Sequence, residues 1–321
     1  MKVLVTGASG FVGSALCAHL AVKGYAVTGA VRNTPGSPPP GVEYRTVPDL
    51  DANTNWREAL TGINAVVHCA ARVHIMNDAS VNPLTAFREV NVEGTVCLAE
   101  QAVDSGIKKF IYISSIKVNG EATSEHSFRP DDSPAPEDPY GLSKWEAEQA
   151  LQKISEKKDL EVVIIRPPLV YGPGVRANFL KLMKVIMLGV PLPLGAVNNL
   201  RSIVALDNLV DLIETCLNHR AAVNQIFLAS DGEDLSTKVL LQRTALALGR
   251  PVRLIPVPMV VLWTMARLFG KSGFAQRLCG SLQVDISKTR KSLGWSPPVS
   301  VDEALQKTAK YFLSNRLDLE K

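Results

Sequence analysis

Thr6-Gly7-Ala8-Ser9-Gly10-Phe11-Val12-Gly13 is the stretch on which the fold turns. The apolar run Val3-Leu4-Val5 precedes it and a helical pattern over Phe11–Lys23 follows, so TGxxGxxG falls in a strand-to-helix turn. Each glycine has its own reason to be there. Gly7 permits the tight turn, Gly10 lets a pyrophosphate approach the backbone, and Gly13 lets helix and sheet pack closely. Phe11 and Val12 open the helix, whose free N–H groups and dipole favour an anion at that end.

Outward from this turn, Ala26–Val31, Glu43–Val47, Ala65–His68 and Phe110–Ser114 read as further strands. Most are nearly continuous apolar runs, as parallel strands covered on both faces require. Their alternation with helical patterns predicts βαβ units and an α/β fold, a Rossmann doubly wound parallel sheet. No repeat with a period of 20–50 residues interrupts it. At 321 residues the chain is long enough for about two domains or one large α/β unit. The segment Asn33–Gly41 is too rich in Pro and Gly to be other than a loop, and the polar, acidic Thr123–Pro139 reads as a loop beside the site. After Arg166-Pro167-Pro168 the pattern breaks into short, mixed elements. Residues 1–166 are therefore expected to form mainly the nucleotide-binding domain. Residues 167–321 are expected to form mainly a smaller mixed substrate lobe, with segments free to interleave.

Composition narrows the class. With 46% apolar and 21% charged residues the chain has ample material for a core. The 35 Lys and Arg against 31 Asp and Glu leave +4, too slight a charge for a nucleic-acid groove. Met1-Lys2-Val3-Leu4-Val5 runs straight into a strand with no apolar leader, which argues against secretion and for a cytoplasmic protein. The longest greasy stretch, Val257–Phe269, contains Arg267 and is far short of the ~20 residues of a membrane span. It reads as a buried helix, with a membrane-surface or dimer helix as the alternative. Cys17, Cys69, Cys97, Cys216 and Cys279 are widely separated, as for ordinary packing residues, and the five histidines lack ligand spacing, so no metal site is expected.

Two details bear on chemistry. The second strand ends Gly29-Ala30-Val31-Arg32, without the carboxylate that usually holds an adenosine ribose diol. Arg32 can pair with a 2′-phosphate instead, which favours NADP(H) over NAD(H), while Asp49 and Leu50 are placed to meet the adenine edge. Tyr140-Gly-Leu-Ser-Lys144 puts a phenol and an ammonium on one helix face, with Asp138 as N-cap and Pro139 at the first helical position. Free tyrosine titrates near ~10. Lys144, an oxidised nicotinamide and the helix N-terminus are all expected to favour the phenolate. Ser114-Ser115 closes a predicted strand nearby.

Together TGASGFVG, His68-Cys-Ala-Ala71, Asn91-Val-Glu-Gly-Thr95, Ser114-Ser115, Tyr140…Lys144 and Arg166-Pro-Pro-Leu-Val-Tyr-Gly-Pro173 resemble the extended short-chain dehydrogenase/reductases. Within them the chain is similar to nucleotide-sugar epimerases, reductases and dehydratases, through Arg201-Ser-Ile-Val-Ala-Leu-Asp207 to Asp285-Ile-Ser-Lys288 and Leu293-Gly-Trp-Ser-Pro297. The resemblance implies Ser115, Tyr140 and Lys144 as catalytic residues, with Asn119 where the family has a tyrosine. It implies Ser114, Ala70, Asn91 and Pro167 on the cofactor side, Asn91 being a structural asparagine. It also implies Asn178, Arg201 and Arg277 around the diphosphate of a UDP-sugar, and a homodimer through the Tyr140 helix.

The same resemblance frames the reaction. Sugar 4,6-dehydratases carry an Asp-Glu pair after the catalytic hydroxyl residue, whereas Ile116-Lys117 follows Ser115 here. A C4-keto reductase and a 4-epimerase remain. Val31-Arg32 tips the expectation toward NADPH-dependent reduction with Tyr140 as proton donor. SSIKVNGE, RPPLVYGPGV and PLPLG…NNLRS add a likeness to reductases of UDP-4-keto-6-deoxy-N-acetylglucosamine. Those make UDP-N-acetylquinovosamine or its fucosamine epimer for surface polysaccharide. The alternative is a 4-epimerase with tightly held NAD and Tyr140 as base. A third reading, an NADP-sensing protein without catalysis, fits poorly with an intact Ser115, Tyr140 and Lys144.

Overall fold

Seven short, mostly apolar segments hydrogen-bond into one parallel sheet. They are β1 (Lys2–Thr6), β2 (Ala26–Val31), β3 (Val42–Thr46), β4 (Ala65–His68), β5 (Lys109–Ile113), β6 (Glu161–Arg166) and, after β7 (Leu169–Tyr171) and β8 (Arg201–Ala205), β9 (Gln225–Leu228). The computed structural model describes residues 1–34, 36–73, 82–270 and 272–315. Pro35 of the Asn33–Gly41 loop and His74 lie outside them.

The strand order is β3-β2-β1-β4-β5-β6-β9. Val3 pairs with Val27 on one side and Ala65 on the other, so β1 lies where the order reverses. Ligands of open α/β sheets bind outside the carboxyl ends of the strands at such a switch point. The turns after β1, β4 and β5 all open there. Helices Phe11–Val22 and Leu206–Asn218 pack over one face, where Leu16, Leu20, Leu209 and Ile213 join β1, β4 and β5 in a fully buried cluster. Helices Gly94–Asp104 and Pro139–Lys157 cover the other face through Leu98, Ala102, Ala147 and Leu151. β9 comes from well beyond residue 167, so the sheet draws on both halves of the chain.

A second, three-stranded sheet runs β10-β8-β7, where β10 is Asp234–Leu235. β8 runs parallel to β7 and antiparallel to β10, so the sheet is mixed. Its core is a separate cluster that includes Tyr171, Phe179, Met183, Leu241 and Phe312. Cys17, Cys216 and Cys279 are buried and Cys69 and Cys97 partly so, all as free thiols.

The greasy stretch near residue 260 departs from expectation. It forms the helix Met259–Leu268, in which no residue is fully buried. Met259, Leu262 and Trp263 lean on the second core, while Val260, Val261, Met265 and Leu268 face outward. Hydrophobicity was read there without its angular position. Among the described residues no helix is long and apolar enough to cross a membrane.

Candidate active site

The glycine turn is a backbone cradle. Gly7 has φ +64, and a Cβ on it would lie 2.9 Å from the Ala70 amide nitrogen. A Cβ on Gly13 would come within 2.2 Å of the Gly7 carbonyl oxygen, so this helix can start against the turn only with glycine there. Gly10 N-caps Phe11–Val22 with no side chain bonded to the first-turn amides. Ser9 and Gly10 are exposed. An uncapped helix start facing an open glycine turn fits the diphosphate of a dinucleotide.

A buried polar chain holds this cradle to its neighbours. The Thr95 hydroxyl donates to the Asn91 carbonyl at 2.7 Å and so accepts from His68 Nε2 at 3.0 Å. His68 Nδ1 is then the acceptor for the Thr6 hydroxyl at 2.7 Å, and Thr6 Oγ1 accepts from the Ala70 amide at 3.1 Å. Burial, with Lys144 adding to it, pushes His68 down to about 3, so the ring is neutral and the tautomer is set by its partners. His68 and Thr95 lie in motifs quoted from the sequence, yet their coupling needed the fold to be visible.

Asn91 sits in a π-helical turn, Glu89–Glu93, between the helices Pro83–Arg88 and Gly94–Asp104. Its side chain accepts from the Arg72 amide at 2.8 Å and donates to the Arg72 carbonyl at 3.0 Å and to Ser143 Oγ at 2.9 Å. It thereby ties the turn after β4 to the Tyr140 helix. Leu50 packs its side chain against Gly94, while Asp49 is exposed beside it. Val31 is buried at the end of β2 and Arg32 is exposed just past it.

The Tyr140 helix starts as expected, with Asp138 accepting from the Gly141 amide at 2.6 Å and Pro139 at the first position. Ser115 N-caps the short 3-10 turn Ile116–Val118 after β5, and its neighbour Ile116 donates to the Pro167 carbonyl at 3.0 Å. Ser115 lies near enough to the Tyr140 phenol to favour its ionised form. The protein's own side chains do not by themselves favour the phenolate. Burial, with Asp138 adding to it, pushes Tyr140 up to about 12, and Ser115 offsets only part of that. Lys144 is fully enclosed, donating to the Ile113 carbonyl at 2.7 Å with Nζ 4.3 Å from the Tyr112 ring centroid. Burial pushes it down to about 7 against the pull of Glu148.

Four residues on from Lys144, Glu148 is a component that sequence reasoning missed, although its spacing places it on the same helix face. It takes Ser114 Oγ at 2.5 Å and a bidentate contact from Arg166, nearest 2.6 Å, with both partners buried. Arg166 also donates to Asn119 Oδ1 at 3.0 Å. Asn119, at the family's tyrosine position, is thus a buried bracket.

Of the residues expected around a diphosphate, Arg201 is partly buried at the start of β8 and donates to the Gly280 carbonyl at 3.0 Å. Burial lowers its pKa, with Glu121 opposing. Asn178 is exposed in the first turn of Ala177–Leu188, next to Ala177, whose φ of 53 is unusual for a residue with a Cβ. Arg277 is exposed on Ser272–Cys279, with no contact joining it to Arg201. The Thr123–Pro139 loop closes one side, through Thr123 to Ser281 and Phe128 to Gln283 and Asp285.

A profile of the NAD dependent epimerase/dehydratase family matches residues 3–229. The chain belongs to this family. It is an NAD(P)-dependent enzyme of the epimerase and reductase type within the extended short-chain dehydrogenase/reductases. It is 49% identical to a UDP-glucose 4-epimerase of Vibrio cholerae over 97% of this chain and 95% of that protein. It is 29% identical to the N-acetyl-alpha-D-glucosaminyl-diphospho-ditrans,octacis-undecaprenol 4-epimerase of Escherichia coli O157:H7, over 97% and 95%. Among solved structures it resembles the UDP-glucose 4-epimerase of Thermotoga maritima with UDP-glucose. That match has a TM-score of 0.78 at 22% identity and covers 98% of this chain and 100% of that one, a likeness of fold.

Proposed function

We propose that the protein is a UDP-sugar 4-epimerase that works with NAD, inverting C4 of a UDP-hexose or its N-acetylated counterpart. The observation that carries this reading is the 49% identity to a UDP-glucose 4-epimerase along almost the whole chain. The site is consistent with it. Gly7, Gly10, Phe11, Val12 and Gly13 would hold the cofactor diphosphate, Arg32, Asp49 and Leu50 its adenosine end, and Ala70, Asn91, Ser114, Lys144 and Pro167 its nicotinamide side. When bound, the oxidised nicotinamide would supply a reversible acceptor for the C4 hydride.

The chain's own residues then do the proton chemistry. Tyr140 would take the proton of the C4 hydroxyl and give it back to the same oxygen after the 4-keto sugar has turned over, so that the C4 hydrogen returns to the opposite face. Ser115 would hydrogen-bond the reacting oxygen. Burial holds the phenol up at about 12, and the positive charge of an oxidised cofactor would favour its ionisation. Lys144 orients the cofactor ribose. Asn178 and Arg201 bind the substrate diphosphate, the arginine by its planar fork, with Arg277 as a further candidate. Net reduction of a 4-keto sugar with NADPH is the second reading. Val31-Arg32 at the end of β2 favours it, since no carboxylate there holds a ribose diol.

The test uses the purified protein with UDP-glucose or UDP-N-acetylglucosamine and no added cofactor. The C4 epimer should form, NAD should be extractable from the protein, and Tyr140→Phe should lower kcat by ~10²–10⁴-fold while NAD remains bound. Consumption of NADPH with a 4-keto sugar, and no epimer from either hexose, would replace the epimerase with the reductase.

A further inference from the structure

The 50 residues between Asp234 and Asp285 contain no Asp or Glu and seven cations: Lys238, Arg243, Arg250, Arg253, Arg267, Lys271 and Arg277. The remainder of the chain carries 28 Lys and Arg against 31 Asp and Glu, so the positive charge of the molecule resides in this segment. Among the described residues, the same segment carries a cluster of exposed greasy side chains. Ile255, Val260, Val261, Met265, Leu268 and Phe269 are all exposed, Val260, Leu268 and Phe269 by 76%, 75% and 68%.

Helical geometry makes the patch a face. At 100° per residue, Val260, Thr264, Leu268, Val261 and Met265 occupy one continuous stripe, and Arg267 borders it. The opposite side, Met259, Leu262 and Trp263, is the one that rests on the core. The strip carrying exposed Val190 runs alongside the approach to the helix, since Leu192 and Arg253–Ile255 exchange backbone hydrogen bonds. A ten-residue helix is about 15 Å long, too short to cross a bilayer but long enough to lie in its surface.

We propose that the Met259–Leu268 helix docks on an anionic phospholipid surface, with its Val260–Leu268 stripe among the acyl chains and Arg267 and the exposed Arg250 and Arg253 at the headgroups. Arg243 of this segment is paired with Glu233 and Asp302, but Arg250, Arg253 and Arg267 are exposed, and a greasy helix face with exposed cations supplies the two terms that drive interfacial binding. Arg267 lies on the border where its aliphatic stem can follow the stripe while its guanidinium reaches phosphate. A second copy of the chain is a poorer occupant, because a two-fold contact would set this acid-free cationic segment against itself. The surface is distinct from the site. The Ser272–Cys279 helix that follows leads into Gly280, whose carbonyl holds Arg201, so the docked face is continuous in chain with the substrate lobe.

The experiment is flotation of the full chain with vesicles of phosphatidylcholine alone or containing about one-third phosphatidylglycerol, at low and high salt. The protein should float with the anionic vesicles and be released by salt. The exposed triple variant Val260→Ser, Leu268→Ser, Phe269→Ser should float at least about fivefold less, as should Arg267→Glu. Turnover of a soluble UDP-sugar should be unchanged in both, which verifies folding and keeps this test separate from the assignment of the reaction. Absence of flotation with anionic vesicles, or equal flotation of the triple variant, would overturn the proposal. So would sedimentation showing that the triple variant has half the wild-type mass, since the stripe would then be covered by a second copy.

Discussion

Lys144 is a lysine held where its charge is penalised. In the folded protein burial brings it down to about 7, whereas in the unfolded chain it keeps its proton up to the ordinary 10.5. Between these values the unfolded chain binds more protons, so stability contributed by this residue rises with pH. The penalty is whole below about 7 and is relieved on passing upward through the folded value. The buried thiols and Tyr140 move the other way, since their raised values make alkali favour unfolding. The useful quantity is therefore a difference. Cofactor-free Lys144→Met should gain on wild type most at about pH 6 and lose that advantage toward about pH 9, by at most ~1.4 kcal/mol per pH unit. Urea titrations across this range measure it, and a difference that does not vary with pH would show that Lys144 is not the group titrating. At this scale the sequence was a good guide to position and a poor one to charge state. Four-residue spacing placed Tyr140 and Lys144 together, but Lys144 is enclosed by Ile113 and Tyr112 of β5, which no local pattern brings near.

Among elements, the π-helical turn Glu89–Glu93 does what an unbroken α-helix would not, because the extra residue per turn redirects Asn91 inward. Two of its bonds hold the Arg72 backbone and a third holds Ser143, one residue before Lys144. Asn91→Ala leaves those groups without their partner. Stability should fall by ~1–3 kcal/mol, and kcat should fall with it as the turn after β4 loosens against the Tyr140 helix. Unchanged urea midpoints and turnover would show that the bracket is idle. The glycine turn and the first five strands were legible because each is local: a strand needs only its own apolar run, and TGxxGxxG its own φ values. β9 was not, since Gln225-Ile-Phe-Leu228 becomes a sheet strand only by lying beside β6. Met259–Leu268 was misread for a related reason. Its apolar content was plain, but which side meets the core depends on where Leu241 and Phe312 stand.

At the scale of the whole molecule, a buried ion pair sits where the chain leaves the large sheet. Glu148 comes from the Tyr140 helix and Arg166 from the last residue of β6, just where the chain leaves the large sheet for β7. Ser114 at the end of β5 and Asn119 beyond it complete the set, so four elements meet at one charged contact. Neither charge has water to replace a lost partner. Glu148→Leu alone strands the guanidinium and should cost ~3–5 kcal/mol, and Arg166→Met alone should cost a similar amount by stranding the carboxylate. The double variant removes both charges and refills the space with apolar atoms, so its cost should be well below the sum of the two. Urea unfolding of the four proteins closes the cycle. A strictly additive result would mean that the two side chains stabilise the fold independently of each other.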